Sequence, residues 1–178
     1  MALTLVKEDG SGKVDANAYQ DVAGCDGYHE GHVYATAWTG ATAADKAKAL
    51  VMATRLIDAE YQFGGARAVS GQALQWPRVS CLDPDADDEL LSGRYVRSNV
   101  VPRGVSDAAC EMARELLVAD RTAAPPGEGL KYENVGTTQT GYDKSDTRPV
   151  ISRVAQAMLA KYGTLLKSKS GAVRVLRT

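Results

Sequence analysis

Four side chains of metal-binding type stand close together in CDGYHEGH: Cys25, His29, Glu30 and His32. His29 and His32 are three residues apart, so on a helix they share one face. A metalloprotease helix needs its second histidine four residues after the first. HEGH closes one residue early, and the favoured reading is a polar cluster at the end of a helix, with metal binding as the lesser alternative. Asp83, Asp85 and Asp87 match the first ligands of a calcium loop. The sixth position of such a loop would then be Asp88 instead of glycine, and the twelfth Arg94 instead of glutamate, which rejects the motif. Gly10–Lys13, GSGK, lacks the first glycine of a phosphate loop and is followed by Val14 rather than a hydroxyl residue. The chain has two histidines, which leaves little material for a hydrolytic triad. No catalytic constellation assembles, so the chain reads as a non-enzyme with no cofactor and no metal.

The thiols and charges point the same way. Cys25, Cys81 and Cys110 are widely spaced and odd in number, which reads as reduced thiols in a cytosolic product. MALTLVKEDG is too short and too soon acidic for a signal peptide, and no apolar run approaches the roughly 18 to 20 residues that span a bilayer. The net charge of −1 hides an asymmetry. After Asp146 there are seven basic residues and no acidic one, so the preceding part, with 14 basic and 22 acidic side chains, carries −8. Blocks of this kind contact nucleic acid or an acidic partner, or are simply solvated.

Helices must position whatever chemistry there is. Thr42 with Asp45 resembles a capping box, and residues 43–62 then run without Gly or Pro, with Leu50 and Ile57 on an apolar stripe. Asp15 or Asn17 can cap a helix over 17–31 that Gly24 and Gly27 weaken. Pro102 opens a helix over 102–121 with Val105, Met112 and Leu116 inward, and Pro149 one over 149–162 with Val154 and Met158 inward. Short β segments are expected at 79–82, 94–97 and 130–142. The fold class is mainly α: a four-helix bundle-like core with short β segments and an extended C-terminal arm. Residues 1–163 form the body, with insertions near 66–101 and 122–147, and residues 164–178 form the arm. Val173, Val175 and Leu176 alternate with Arg174 and Arg177 there, as in a strand without a neighbouring partner.

The order of parts resembles the tailed-bacteriophage head–tail adaptor (connector, or head-completion) family, a group also labelled DnaT-like single-stranded DNA-binding. The segments that carry the resemblance are LTLVKEDGSGKVDANAY, ATRLIDAEYQFGGARA, QALQWPR, NVVPRGVSDAACEMARELL, LKYENVGTTQTGYDKS and the closing GAVRVLRT. The resemblance implies a structural virion protein of the neck, at the capsid portal vertex. Copies of the chain would form a ring of twelve between the portal protein and a tail-terminator or other neck protein. Double-stranded DNA would pass through the channel, whose acidic walls would not retain it. Gly171, Val173, Arg174, Val175, Leu176 and Arg177 would dock on the portal by strand addition.

The alternative is a single-stranded DNA-binding module of phage replication. Such a module interleaves aromatic and basic residues, so that bases stack and phosphates are neutralised. Tyr132 and Tyr142, flanking Lys131 and Lys144, are the residues that fit this pattern.

Overall fold

A computed structural model of the chain describes residues 3–86, 94–123, 132–135, 138–141 and 149–166. In chain order the elements are α1 (Val22–Glu30), α2 (Thr36–Thr39), α3 (Ala43–Glu60), β1 (Tyr61–Phe63), β2 (Ala66–Arg67), β3 (Arg78–Val79), α4 (Arg103–Val118), β4 (Tyr132–Val135), β5 (Thr138–Gly141), α5 (Arg153–Leu159) and β6 (Gly163–Leu165).

α3 starts where its capping box predicts. The Thr42 hydroxyl accepts the Asp45 N–H at 3.2 Å. The helix stops earlier than its apolar stripe suggests. Tyr61 turns to extended backbone, φ −114° and ψ 135°, and begins β1 without a loop. Tertiary pairing decides this: Tyr61 and Phe63 point into the core, and β1 pairs antiparallel with β6, Tyr61 opposite Leu165 and Phe63 opposite Gly163. The expected boundary between body and arm, at 163/164, therefore falls within β6.

α1 is shorter than the expected 17–31, because the preceding residues are already committed. Ala18 forms a parallel bridge with Lys7, and Asn17 bonds the backbone of Val6 in both directions, N–H to carbonyl at 2.9 Å and side-chain oxygen from N–H at 2.8 Å. Asp21 takes the capping role and accepts the Gly24 N–H at 2.7 Å. α5 also shrinks. Arg121 donates to the carbonyls of Pro149 and Val150 at 2.7 and 2.8 Å, so these residues hold the incoming chain, and Ser152 caps the helix through Ala155 N at 3.2 Å.

These lengths correct the four-helix bundle. Among the described residues there are five helices and three separate two-stranded antiparallel pairs, β1–β6, β2–β3 and β4–β5, a small mixed α/β fold. Helices of nine and seven residues, α1 and α5, are too short to run alongside the 18-residue α3 and 16-residue α4. α4 is instead a central spine that packs against α1, α2, α3 and α5. Its small residues, Ala108, Ala109 and Ala113, are fully buried and let neighbours approach closely.

Leu50, Ile57, Val105 and Met112 are buried together, as the stripes predict, and Leu116 and Met158 pack at the margin. Val154 does not join them; it is 51% exposed. With α5 starting at Arg153, its inward positions are Ala155 and Leu159, one turn apart. Trp38 and Trp76 fill the remaining volume; Trp38 belongs to α2, a four-residue helix absent from the sequence expectation.

The thiols are corrected too. Cys25 and Cys110 form a disulfide between α1 and α4, with Cα atoms 5.3 Å apart. Cys81 is a buried free thiol.

Candidate functional site

The motif candidates resolve into structural roles. GSGK does make an anion nest, but the anion is the chain's own. The buried Glu8 carboxylate accepts the N–H groups of Gly10 and Gly12, each at 2.9 Å, and of Lys13 at 2.8 Å. Gly10 takes φ +98°, and a side chain there would run into the Asn99 carbonyl at 1.9 Å. The nest is thereby fitted against the turn that precedes α4 and is closed to an outside phosphate.

CDGYHEGH divides. Cys25 is consumed by the disulfide and Glu30 is exposed. His29 is buried, with Nε2 3.2 Å from the Cys110 carbonyl. A carbonyl only accepts, so Nε2 carries the proton, and Nδ1 is left without a partner. Burial holds the His29 pKa below its ordinary value. His32 Nε2 lies 3.7 Å from Glu111 Oε2, while Arg114 grips the other Glu111 oxygen and Glu115 at 2.6 Å each. Among the described residues no group of three or more His, Cys, Asp or Glu side chains is placed to hold a metal ion. In the acidic loop Asp85 pairs with Lys161, and Asp87 lies outside the described residues.

A second buried knot surrounds Asp58. It accepts the Tyr19 hydroxyl and the Gln75 N–H, the latter at 2.9 Å. Burial pushes its carboxyl up to about 6 against those two hydrogen bonds. Beside it Arg78 spreads its guanidinium over the carbonyls of Phe63, Gly64, Gly65 and Gln75. Both groups face inward: Asp58 ties α3 to the segment before β3, and Arg78 ties that segment to the end of β1 and the turn after it.

Among the described residues an open groove of about 510 Å³ lies between α1 and the start of α4. One wall is Gln20, Gly24, Gly27 and Tyr28; the other is Val100, Val101, Arg103, Ser106 and Asp107. Glycine at 24 leaves room for the Gln20 amide, whose carbon a side chain would meet at 2.4 Å, and Gly27 has nothing within 4 Å of the Cβ position. The wall is therefore open at Gly27 and covered by the Gln20 amide at Gly24. Tyr28 is half-buried, and burial, then the carboxylates of Glu111 and Asp107, keep its phenol neutral. Arg103 stands at the first turn of α4, 91% exposed, with Nε 3.2 Å from Asp107 Oδ2. No side chain caps this helix N-terminus, where the helix dipole adds positive potential.

The chain leading into the groove continues the pattern. Tyr95 bridges Leu82 and is 42% exposed, while Arg94 and Arg97 are exposed around it. The Arg97 carbonyl accepts the Val100 N–H at 3.2 Å, in the turn that delivers the strip to the groove wall. In chain order Tyr95, Arg97 and Arg103 thus set an exposed aromatic residue among exposed cations just before and at the start of α4.

The sequence expectation missed this edge. RYVRSNVVPR shows its basic and aromatic residues, but Tyr28 comes from a distant segment that only the fold brings near. The pattern expected instead, Lys131, Tyr132, Tyr142 and Lys144, falls on the β4–β5 hairpin and its flanks; Tyr132 sits in β4 opposite Gly141, and the other three lie outside the described residues. The expected docking residues, Gly171, Val173, Arg174, Val175, Leu176 and Arg177, also lie outside them.

The chain belongs to the family described as "Putative DnaT-like ssDNA binding protein", whose model matches residues 3–178. No curated protein and no solved structure gives a significant match. The family match corrects the connector reading. It is to a single-stranded DNA-binding description, and it supports neither a structural ring of the virion neck nor the portal, tail-terminator and double-stranded DNA partners that came with it. Among the described residues no helix is long and apolar enough to cross a membrane.

Proposed function

We propose that this protein binds single-stranded DNA, and that the groove between α1 and α4 is where a base and its phosphate are held. One observation carries the reading: Tyr28 from α1 and Arg103 from α4 line the same open groove, with Gly24 and Gly27 beside them. Tyr28 supplies a neutral ring on which a base stacks, and base–aromatic stacking tolerates any sequence. Arg103 and the α4 N-terminus receive the phosphate. Tyr95 and Arg97 repeat the same pair of functions one step along the strand. The family membership of the whole described chain supports this reading. A net charge of −1 leaves no general attraction for DNA, so affinity depends on the local cations.

Photocrosslinking tests it. An oligothymidylate carrying a halogenated uracil, irradiated with the protein and digested, should yield crosslinked peptides containing Tyr28 or Tyr95. Crosslinks confined to other surfaces would reject the groove.

A further inference from the structure

The two walls of the groove are joined by a covalent bond that the binding chemistry does not need. Cys25 directly follows Gly24 of one wall, and Cys110 lies one turn beyond Ser106 and Asp107 of the other. Apart from this bond, α1 is tied through Asp26 to Trp38 Nε1 of α2 and Lys46 Nζ of α3, at 2.8 Å each, and has little purchase on α4 itself. It has nine residues, two of them interior glycines, each worse than alanine in a helix. Its buried side chains are Cys25 and His29, and His29 contributes one hydrogen bond to Cys110 while its other ring nitrogen has no partner.

We infer that the Cys25–Cys110 disulfide is a redox latch on the groove: oxidised, it holds α1 and Tyr28 against α4; reduced, it lets α1 detach and the groove open out. The effect on DNA rests on the reading of the groove as a single-stranded DNA site. The reaction is thiol–disulfide exchange with a dithiol reductant. One reductant thiolate attacks a cystine sulfur, the S–S bond breaks, and the departing cysteine thiolate takes a proton. The second reductant thiol resolves the mixed disulfide. Two cysteine thiols form, and the reductant leaves as its own disulfide with two electrons passed. Both sulfurs belong to fully buried residues, so attack proceeds through transient opening of α1.

The experiment uses the full chain, oxidised or treated with dithiothreitol, with two readouts: amide hydrogen exchange, and affinity for a labelled oligothymidylate. Reduction should speed exchange across Val22–Glu30 about tenfold or more while the middle of α4 stays protected. It should weaken DNA binding by about five- to 150-fold, the usual range of coupling between two sites, and re-oxidation should restore both. Replacing both cysteines with alanine should reproduce the reduced state and abolish the response to dithiothreitol. Unchanged exchange in α1 on reduction overturns the latch. Faster exchange with unchanged DNA affinity overturns its control of the groove. If the oxidised chain binds no DNA, the functional reading fails, and the exchange readout alone decides whether the latch exists.

Discussion

Arg103 and Asp107 stand one turn apart on α4 and pair at 3.2 Å, yet the arginine remains 91% exposed while the aspartate is three-quarters covered. The carboxylate thus positions a cation that lines the groove and stays open to solvent. It also places a negative charge where a phosphate would come. Exposed pairs of this kind are worth about 0 to 1 kcal/mol to the fold, so both partners can be changed without unfolding the protein.

Asp107→Asn should therefore strengthen DNA binding, by removing a repulsive charge and releasing Arg103. Arg103→Glu should weaken it. Anisotropy titrations at two salt concentrations check both. A binding slope of about −0.7 in log–log salt dependence is expected for each phosphate neutralised, and Arg103→Glu should reduce the slope by about that amount.

Gly27→Leu should block the groove and leave the fold intact. Its Cβ would meet nothing within 4 Å, and leucine is the better helix former, so thermal stability should hold or rise slightly. The leucine side chain would occupy the open wall at Gly27, where a base lies against Tyr28. Loss of DNA affinity with an unchanged unfolding midpoint is the expected pair of results.

The core makes a contrasting prediction. Ile57 is fully buried, and Ile57→Ala should cost about 2 to 5 kcal/mol. Val154→Ala should cost within about 0.5 kcal/mol, because half of that side chain is in solvent. Urea unfolding of the two variants measures both.

Asp58 gives a pH signature. Its folded pKa, about 6, lies above the ordinary carboxyl value of 3.8. The folded state therefore holds the proton more tightly. The associated stability is fully present below 3.8 and is lost as pH rises through 6. Asp58→Asn keeps an acceptor for the Gln75 N–H and never ionises. Its unfolding midpoint should gain on the wild type as pH goes from 4 to 7, read by thermal melts at both values; a constant difference would show that Asp58 does not titrate in this range.

Much of the helical frame was legible in residues that act locally. The Thr42–Asp45 box marks the start of α3, and the stripe through Val105 and Met112 marks α4. What long-range pairing decides was hidden. Tyr61 reads as the last apolar residue of a helix until β6 arrives to pair with it. Tyr19 reads as helical until Lys7 and Val6 claim the backbone just before it. Cys25 and Cys110, 85 residues apart, carry no spacing that announces a disulfide. GSGK looked like a failed phosphate loop because nothing in the sequence shows Glu8 folding into it. The groove was missed for the same reason: its cation and its aromatic ring come from α4 and α1, 75 residues apart in the chain.

The central claim is that Tyr28 and Arg103 together hold single-stranded DNA. An equilibrium titration of labelled oligothymidylate with wild type, Tyr28→Ala, Arg103→Ala and the double variant tests it most directly. Tyr28→Ala should cost about 1 to 3 kcal/mol of binding, the usual worth of one stacked base, with Tyr28→Phe retaining the affinity. The double variant should bind more weakly than either single one. Wild type that fails to bind, or variants that bind as tightly as wild type, would contradict the account.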